Sequence, residues 1–170
     1  MPAYLITGEA GTGKSSLAVE LQKRDYVAYD GDRTPGLTYH ADRLTGQPIT
    51  ERLEHYTETD WVWDSHRLRE LINAPGDVFI AGATSNQQDF YPLFRQIFML
   101  TIDADTLTHR LQNRNPGDYG MHPEELQDIL RTFEGFQRRT IEEDGAIPIH
   151  AAQPLTKVAD DILAYLAQQA

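Results

Sequence analysis

The sequence contains no cysteine among its 170 residues. This absence excludes disulfide bonds, thiolate zinc sites and cysteine nucleophiles, and it is the usage expected of a protein in a reducing cytosol. The N-terminus has no basic stretch ahead of an apolar one, and no apolar run approaches the ~20 residues that span a bilayer. We therefore expect a cytoplasmic protein without a signal peptide or a membrane span.

Positive charge is also scarce. Lys and Arg total 15 against 26 Asp and Glu residues, which gives a formal net charge of −11. Only three lysines occur, Lys14, Lys23 and Lys157. A body this acidic repels nucleic acid backbones and anionic membranes unless its basic residues cluster in one place. We expect neither nucleic acid nor a membrane as a partner.

Short apolar runs alternate with longer segments along the chain. Buried parallel strands have such continuous apolar runs, and helices between them supply the crossovers. The length suits one domain, so the pattern predicts a single α/β domain over residues 1–170, a three-layer fold with a five-stranded, mainly parallel sheet. The five predicted strands are Tyr4–Thr7, Tyr26–Tyr29, Val78–Ala81, Gln96–Thr101 and Ile147–His150.

Helical periodicity and helix boundary signals mark the segments between the runs. Asp103 reads as an N-cap, and Pro123 suits the first turn of a long helix. Residues 31–60 are polar and irregular, with no regular element predicted. The predicted helices are Lys14–Gln22, Trp61–Asn73, Ala104 to about Arg114, Pro123 to about Glu143, and Leu155–Leu166.

Residues 8–15 read Gly-Glu-Ala-Gly-Thr-Gly-Lys-Ser, the G-x-x-x-x-G-K-S pattern of a phosphate-binding loop. Glycines keep such a loop open, so that backbone N–H groups and a helix N-terminus converge on a polyphosphate. Lys14 adds positive charge near the β- and γ-phosphates, and the Ser15 hydroxyl suits Mg²⁺. The predicted nucleotide contacts are Gly8, Glu9, Ala10, Gly11, Thr12, Gly13, Lys14, Ser15 and Ser16.

The other runs narrow the class of nucleotide protein. The third run ends in Gly82, where many P-loop ATPases have a metal-binding Asp, and oligomeric motors have an acidic pair there. The Asn-Lys-x-Asp motif that reads guanine does not occur. Carboxylates instead follow the second run, as Asp30-Gly31-Asp32.

Two carboxylates at the carboxyl end of a strand lie beside the phosphate loop, where open α/β sheets bind ligands. One can hold a Mg²⁺-bound water, and the other can orient a substrate hydroxyl or accept its proton. We assign Asp30 to the metal or the base, and Asp32 with Arg33 to the substrate; the two aspartates are interchangeable at this point. Without the phosphate loop, the same tripeptide reads as a solvated acidic turn.

Arg110 and Arg114 are spaced four apart, which places them on one face of the predicted helix. Arginine stabilises the charge of a transferring phosphoryl group with planar, bidentate donors. We predict a catalytic role for both residues. The alternative is an exposed helix face that pairs with acids such as Asp103 or Asp105.

Together these motifs resemble the P-loop kinases of small molecules and nucleoside monophosphates. Asp-Gly-Asp after the second strand is similar to gluconate and adenylylsulfate kinases, shikimate kinase has a similar Asp-x-Asp, and His150–Leu155 looks like the adenine-contacting loop of nucleotide kinases. The resemblance implies strand order 2-3-1-4-5, a substrate-binding insertion at about 31–60, a lid at about 114–122, and nucleotide contacts from Arg110, Gln153 and Pro154.

The resemblance also implies ATP and Mg²⁺ as ligands and transfer of the γ-phosphoryl group to a small-molecule hydroxyl or a nucleoside monophosphate. A rival from another class is a nucleotide-binding module that senses or scaffolds, with slow hydrolysis or none. Polar residues of the 83–87 segment could contact substrate. Trp61 and Trp63 could line the substrate pocket, although a place in the core or at its rim is more usual for tryptophan. Residues available to an anionic or hydroxylated substrate are Arg33, Tyr39, His40, Arg43 and Arg52.

Overall fold

A five-stranded parallel sheet runs through the centre of the molecule, in the order β2-β5-β1-β6-β7. Counting only its own strands along the chain, this is the predicted order 2-3-1-4-5. The computed structural model describes residues 2–50, 59–115 and 119–169. Its strands are β1 (Ala3–Thr7), β2 (Val27–Asp30), β3 (Thr38–Asp42), β4 (Thr59–Trp63), β5 (Val78–Ala81), β6 (Gln96–Thr101) and β7 (Ile147–His150).

Helices cover both faces of this sheet, which confirms the three-layer α/β fold. Successive strand residues point to opposite faces, so Ile6 packs in one cluster with Leu17 and Ile162, while Leu5 packs in another with Leu68. The helices are α1 (Lys14–Lys23), α2 (Ser65–Ile72), α3 (Ala104–Gln112), α4 (Pro123–Glu142) and α5 (Leu155–Gln168), with a 3-10 helix at Gln87–Leu93.

The strand register places the two candidate motifs at one edge of the sheet. Asp30, the last residue of β2, lies opposite Ala81 of β5, and Ala81 lies opposite Ile6 of β1. Two strand spacings correspond to about 10 Å. The Asp30 backbone is therefore about this far from the strand that leads into the glycine-rich loop.

Residues 59–63 form a strand, so the predicted helix over Trp61–Asn73 is wrong in its first part. Trp61, Val62 and Trp63 pair antiparallel with β3, as aromatic and β-branched residues favour. The helix begins only after Asp64, whose carboxylate caps α2 by accepting the backbone N–H of Arg67 at 2.7 Å. The irregular segment predicted at 31–60 likewise contains β3.

The β3–β4 hairpin is attached to the loop that follows β5. The side chain of Asn86 accepts the backbone N–H of Trp63 at 2.9 Å and donates to its carbonyl at 3.1 Å. The backbone N–H of Ser85 donates to the carbonyl of Trp61 at 2.8 Å. The Asn86 side chain and the Ser85 backbone together thus take the place of a pairing strand on this side of β4.

Two parts of the predicted substrate side and lid fall outside the described residues. They are Arg52 in the insertion and residues 116–118 in the lid.

Among the helices of the described ranges, none combines the length and apolar character that crossing a membrane requires.

We call the two hydrogen bonds between the Asn86 side chain and the Trp63 backbone the Asn86 clasp. They predict a large loss of stability when Asn86 is replaced. Asn86→Ala leaves the backbone N–H and carbonyl of Trp63 without these partners, and each unsatisfied buried group costs ~1–3 kcal/mol. We expect the free energy of unfolding to fall by ~2–4 kcal/mol, measured by urea titration at unchanged m-value. Ser85→Ala, at the exposed neighbouring position, is the matched control, and equal losses in both variants would contradict the clasp.

Candidate active site

The loop between β1 and α1 presents a concentration of backbone donors. Within the described residues, no hydrogen bond is donated by the backbone N–H groups of Gly11, Gly13, Lys14, Ser15 and Ser16. Those of Lys14, Ser15 and Ser16 belong to the first turn of α1, which has no intrahelical acceptors for them. Free donors at the positive end of a helix dipole form a binding site for an anion such as phosphate.

The Lys14 side chain folds back across this loop. Its ammonium donates to the carbonyl of Gly8 at 2.7 Å and to that of Glu9 at 2.9 Å. Burial lowers the pKa of Lys14, and the carboxylates of Asp32, Glu9 and Asp30 oppose that shift. The ammonium is therefore fixed at the loop and lies within electrostatic reach of both aspartates that follow β2.

Gly11 lets the loop pack directly on α3. Its φ is +86°, and a Cβ added there would lie 3.0 Å from the Leu111 Cδ2 atom and 3.2 Å from the Leu107 Cδ1 atom. A larger residue would strain the backbone and push the loop away from this helix. The contact fixes the position of α3, and therefore of Arg110, relative to the loop.

Arg110 bridges the glycine-rich loop and the loop after β7. Its guanidinium donates to the carbonyl of Thr12 at 3.3 Å and to that of Ala151 at 2.7 Å. Gln153, in the same second loop, donates from its side-chain amide to Asp161 of α5 at 2.6 Å. Arg110 and the loop with Gln153 and Pro154 thus stand beside the phosphate loop, with the Gln153 amide engaged by α5.

Arg114 does not share a helical face with Arg110, because α3 ends at Gln112. The C-cap residue Asn113 donates its side-chain amide to the carbonyl of His109 at 2.7 Å, which closes the helix. Beyond it, the Arg114 guanidinium donates to the carbonyl of Tyr119 at 2.7 Å. Its positive charge adds to the effect of burial in lowering the pKa of Lys14, so the two cations lie within electrostatic reach of each other.

The two aspartates after β2 have different surroundings. Asp30 is largely covered, with 14% of its side chain exposed, and accepts the backbone N–H of Asp32 at 3.0 Å. Arg33 approaches the Asp30 carboxylate at 3.7 Å. Asp32 is exposed, and one of its oxygens accepts the indole N–H of Trp61 at 2.9 Å. Asp30 thus faces inward, while Asp32 faces the β3–β4 hairpin.

Gly31, between these aspartates, permits a close approach of three segments. A Cβ there would lie 3.2 Å from the carbonyl oxygen of Ala81, 3.3 Å from Gly82 Cα and 3.5 Å from the indole nitrogen of Trp63. Trp63 is 1% exposed, and its indole N–H has no hydrogen-bond partner in the described part of the chain. The backbone of Gly31 and Gly82 therefore packs closely against the indole of Trp63.

A buried polar network lies behind the phosphate loop and is centred on Gln87. The Gln87 carbonyl oxygen accepts the hydroxyl of Thr7 at 3.1 Å and the backbone N–H of Thr84 at 3.3 Å. Its amide donates to the Tyr91 hydroxyl at 2.7 Å, and burial raises the pKa of Tyr91. Asn86 and Gln87, predicted to offer side chains to substrate, are instead engaged by the protein.

Sequence reasoning did not predict the hydrogen bond from Trp61 to Asp32, because it assigns Trp61 to a helix rather than to the β3–β4 hairpin. The usable signal was the Trp-Val-Trp pattern directly before a helix-capping Asp.

Across residues 2–50, 59–115 and 119–169, no three His, Asp or Glu side chains gather into a metal cluster.

The fold and the glycine-rich loop together define a P-loop protein of the kinase-like class. The family model of the AAA domain matches residues 5–131, more than half of the chain, and the chain belongs to this family. In this chain β5 is followed by Gly82, and the acidic pair expected of oligomeric motor ATPases does not follow this strand. No curated protein matches the chain.

Solved structures share this fold over nearly the whole length. A gluconokinase from Sinorhizobium meliloti 1021 has 18% identity and a TM-score of 0.60, covering 99% of this chain and 93% of its own. A deoxyadenosine kinase from M. mycoides, with products dCMP and dCDP bound, has 15% identity and a TM-score of 0.61, covering 98% and 99%.

A shikimate kinase from Aquifex aeolicus has 19% identity and a TM-score of 0.55, covering 99% of this chain and 98% of its own. All three are P-loop kinases in fold, which confirms the kinase-like resemblance inferred from the motifs.

The Gln87 network predicts a stability loss without loss of volume. Gln87→Met is close in size but leaves the Thr7 hydroxyl, the Thr84 N–H and the Tyr91 hydroxyl without their partner. We expect a loss of ~2–4 kcal/mol in the free energy of unfolding. Chemical denaturation measures it against Gln88→Met at the exposed neighbouring position, and a tolerated Gln87→Met beside an unchanged control would refute the network's importance.

Proposed function

We propose that the chain is an ATP- and Mg²⁺-dependent phosphotransferase that moves the γ-phosphoryl group of ATP to a small-molecule hydroxyl or a nucleoside monophosphate. The observation that carries this proposal is the position of the two aspartates after β2. Both act electrostatically on the lysine of the phosphate loop. Binding of MgATP alone accounts for one carboxylate, as a ligand of the metal or its waters, whereas a second, exposed carboxylate suits an acceptor hydroxyl.

The nucleotide side is supported by the glycine-rich loop and by Arg110. The free N–H groups of residues 11 and 13–16 suit the phosphates, and Lys14 neutralises the charge that develops during transfer. Arg110 lies between the phosphate loop and the loop at 151–154. That position suits contact with the adenine, as the likeness to nucleotide kinases implies, and Arg114 lies at the base of the proposed lid at 114–122.

The metal side is supported by oxygen donors of the kind that Mg²⁺ prefers. Mg²⁺ usually keeps several waters and binds one or two protein oxygens together with substrate phosphates. The Ser15 hydroxyl at the start of α1 and the inward-facing Asp30 carboxylate supply such oxygens. Bound there, the ion would offset the negative charge of the phosphates.

The acceptor side is supported by Asp32, which is exposed towards the hairpin. In the transfer, the acceptor oxygen forms a bond to the γ-phosphorus while the bond from that phosphorus to the oxygen of ADP breaks. The acceptor proton passes to a carboxylate, for which Asp32 is the accessible group and Asp30 the covered one. Arg33, beside Asp30, completes the proposed substrate side.

The similar proteins agree with this proposal at the level of class. They are a gluconokinase, a deoxyadenosine kinase and a shikimate kinase, all kinases named for small molecules. A second M. mycoides deoxyadenosine kinase structure, at 15% identity and a TM-score of 0.59, is described with bound dATP. This likeness supports nucleotide use and leaves the acceptor to be found.

The proposal predicts that Lys14 is required for turnover. We expect Lys14→Ala to lower acceptor-dependent ADP release at least about 100-fold, because the charge on the transferring group loses its fixed partner. A coupled assay of ADP across an acceptor panel measures this, with Lys23→Ala at the exposed end of α1 as the matched control.

Lys14→Ala turnover within a few-fold of the wild type would contradict the mechanism. Tight ATP binding by the wild type without any acceptor-stimulated ADP release would instead favour the nucleotide-binding module. Asp30→Asn separates the roles further, because retained turnover in that variant would remove only the metal or base role of Asp30.

A further inference from the structure

An aromatic surface lies directly beside the Asp32 carboxylate. The rings of His40 in β3 and Trp61 in β4 lie 4.6 Å apart, centre to centre, with 51° between their planes. Both side chains are partly exposed. We call this pair the aromatic shelf. It is built by the register of the hairpin, which places His40 opposite Trp61.

The shelf and the carboxylate are joined by one hydrogen bond. The Trp61 indole N–H donates to Oδ1 of Asp32 at 2.9 Å. The other oxygen, Oδ2, accepts no hydrogen bond within the described residues. The bond therefore orients the Asp32 carboxylate, since it occupies one oxygen and leaves the second for a hydroxyl group of a bound molecule.

Two arginines of the described part of the insertion, Arg33 and Arg43, lie beside carboxylates. Arg43 contacts Asp60 at 3.2 Å and donates to the carbonyl of Thr59 at 3.2 Å. Arg33 lies 3.7 Å from Asp30. Both arginines had been candidates for an anionic substrate, and each is compensated here by an acid.

Burial lowers the pKa of His40, which favours its neutral form. The exposed carboxylate of Asp32 itself repels an anion at the position where the acceptor must approach. In the described part of the insertion, the balance of charge thus disfavours a phosphate or carboxylate group on the acceptor.

We propose that the acceptor is an uncharged compound that carries both a ring and a hydroxyl group. The hydroxyl binds Oδ2 of Asp32 and the ring lies on the aromatic shelf, as sugar and nucleobase rings do on tryptophan. Trp61 is the positioning residue that sets the direction of the Asp32 carboxylate. This inference rests on the proposed phosphotransfer and narrows its acceptor to a neutral nucleoside or a neutral sugar.

The reaction balances with the groups already named. The acceptor hydroxyl oxygen bonds to the γ-phosphorus of ATP, the bond to the ADP oxygen breaks, and the hydroxyl proton passes to Asp32 and then to water. The product is the phosphate ester of the neutral compound. Its added negative charge faces Asp32, which favours release.

Matched acceptor pairs test the inference in the coupled ADP assay. Adenosine and deoxyadenosine are compared with their 5′-monophosphates, and glucose is compared with glucuronate, which keeps the ring and carries a carboxylate. We expect at least one neutral member to exceed its charged partner at least about tenfold in kcat/KM, and the pair that responds distinguishes a nucleoside from a sugar. Equal or greater kcat/KM for the charged members would overturn the inference while leaving the phosphotransferase intact.

A binding measurement keeps the inference testable if no compound is turned over. The chain has only two tryptophans, so Trp63→Phe leaves Trp61 as the single indole fluorophore. We expect the neutral members to quench or shift its emission with saturation, in the absence of ATP, while the charged members do so at least about tenfold more weakly. Emission that fails to respond to the neutral members, or responds equally to the charged ones, would overturn the shelf.

Trp61→Phe supplies both the control fluorophore and the kinetic test. The buried Trp63 that remains should not respond to the compounds, and the difference between wild type and Trp61→Phe gives the same readout if Trp63→Phe does not fold. We expect Trp61→Phe to raise the acceptor KM about fivefold to tenfold with the KM for ATP within about twofold. Leu44→Ala, 95% exposed on the same hairpin, is the matched control.

A purely structural role for Trp61 would instead lower stability and leave the ratio of the two KM values unchanged. That result would remove Trp61 as a positioning residue.

Discussion

The unpaired backbone N–H groups around Lys14 are the constraint on which the rest of the site depends. No acceptor in the described chain satisfies them, so only water or an anion can do so. Lys14 holds the loop in this open form through the carbonyls of Gly8 and Glu9. The packing of Gly11 on α3 then fixes Arg110 beside the loop, so the local conformation of one turn positions the groups of the proposed nucleotide side.

The proposed acceptor side depends on different contacts and meets the proposed nucleotide side at the carboxyl edge of the sheet. Here a hairpin is held on the loop after β5 by Asn86, and its inner tryptophan, Trp63, packs under Gly31. Its outer tryptophan, Trp61, reaches Asp32. One short motif, Asp-Gly-Asp, thus contributes to both proposed sides: Asp30 is largely covered, and Asp32 faces the hairpin.

The five strands of the central sheet could be predicted from sequence because buried parallel strands are continuous apolar runs. Their order was predicted from the resemblance to P-loop kinases, and the structure confirms it. The phosphate loop could also be predicted, because its glycines and Lys14 lie within one short stretch of the sequence. The hairpin was not, because Trp61 and Trp63 gain their strand conformation from pairing with β3 about 20 residues away, a long-range contact that local periodicity does not report. The hydrogen bonds of Gln87 could not be predicted for the same reason, because its partners Thr7 and Tyr91 come together only in the folded chain.

The most direct test of the central claim is a ¹H–¹⁵N NMR titration of the folded protein with MgATP. If the turn between β1 and α1 binds a polyphosphate through its main chain, the amide signals of residues 11 and 13–16 shift together and saturate, and those of the sheet core stay in place. Signals of that turn that remain unmoved at millimolar MgATP would contradict the account.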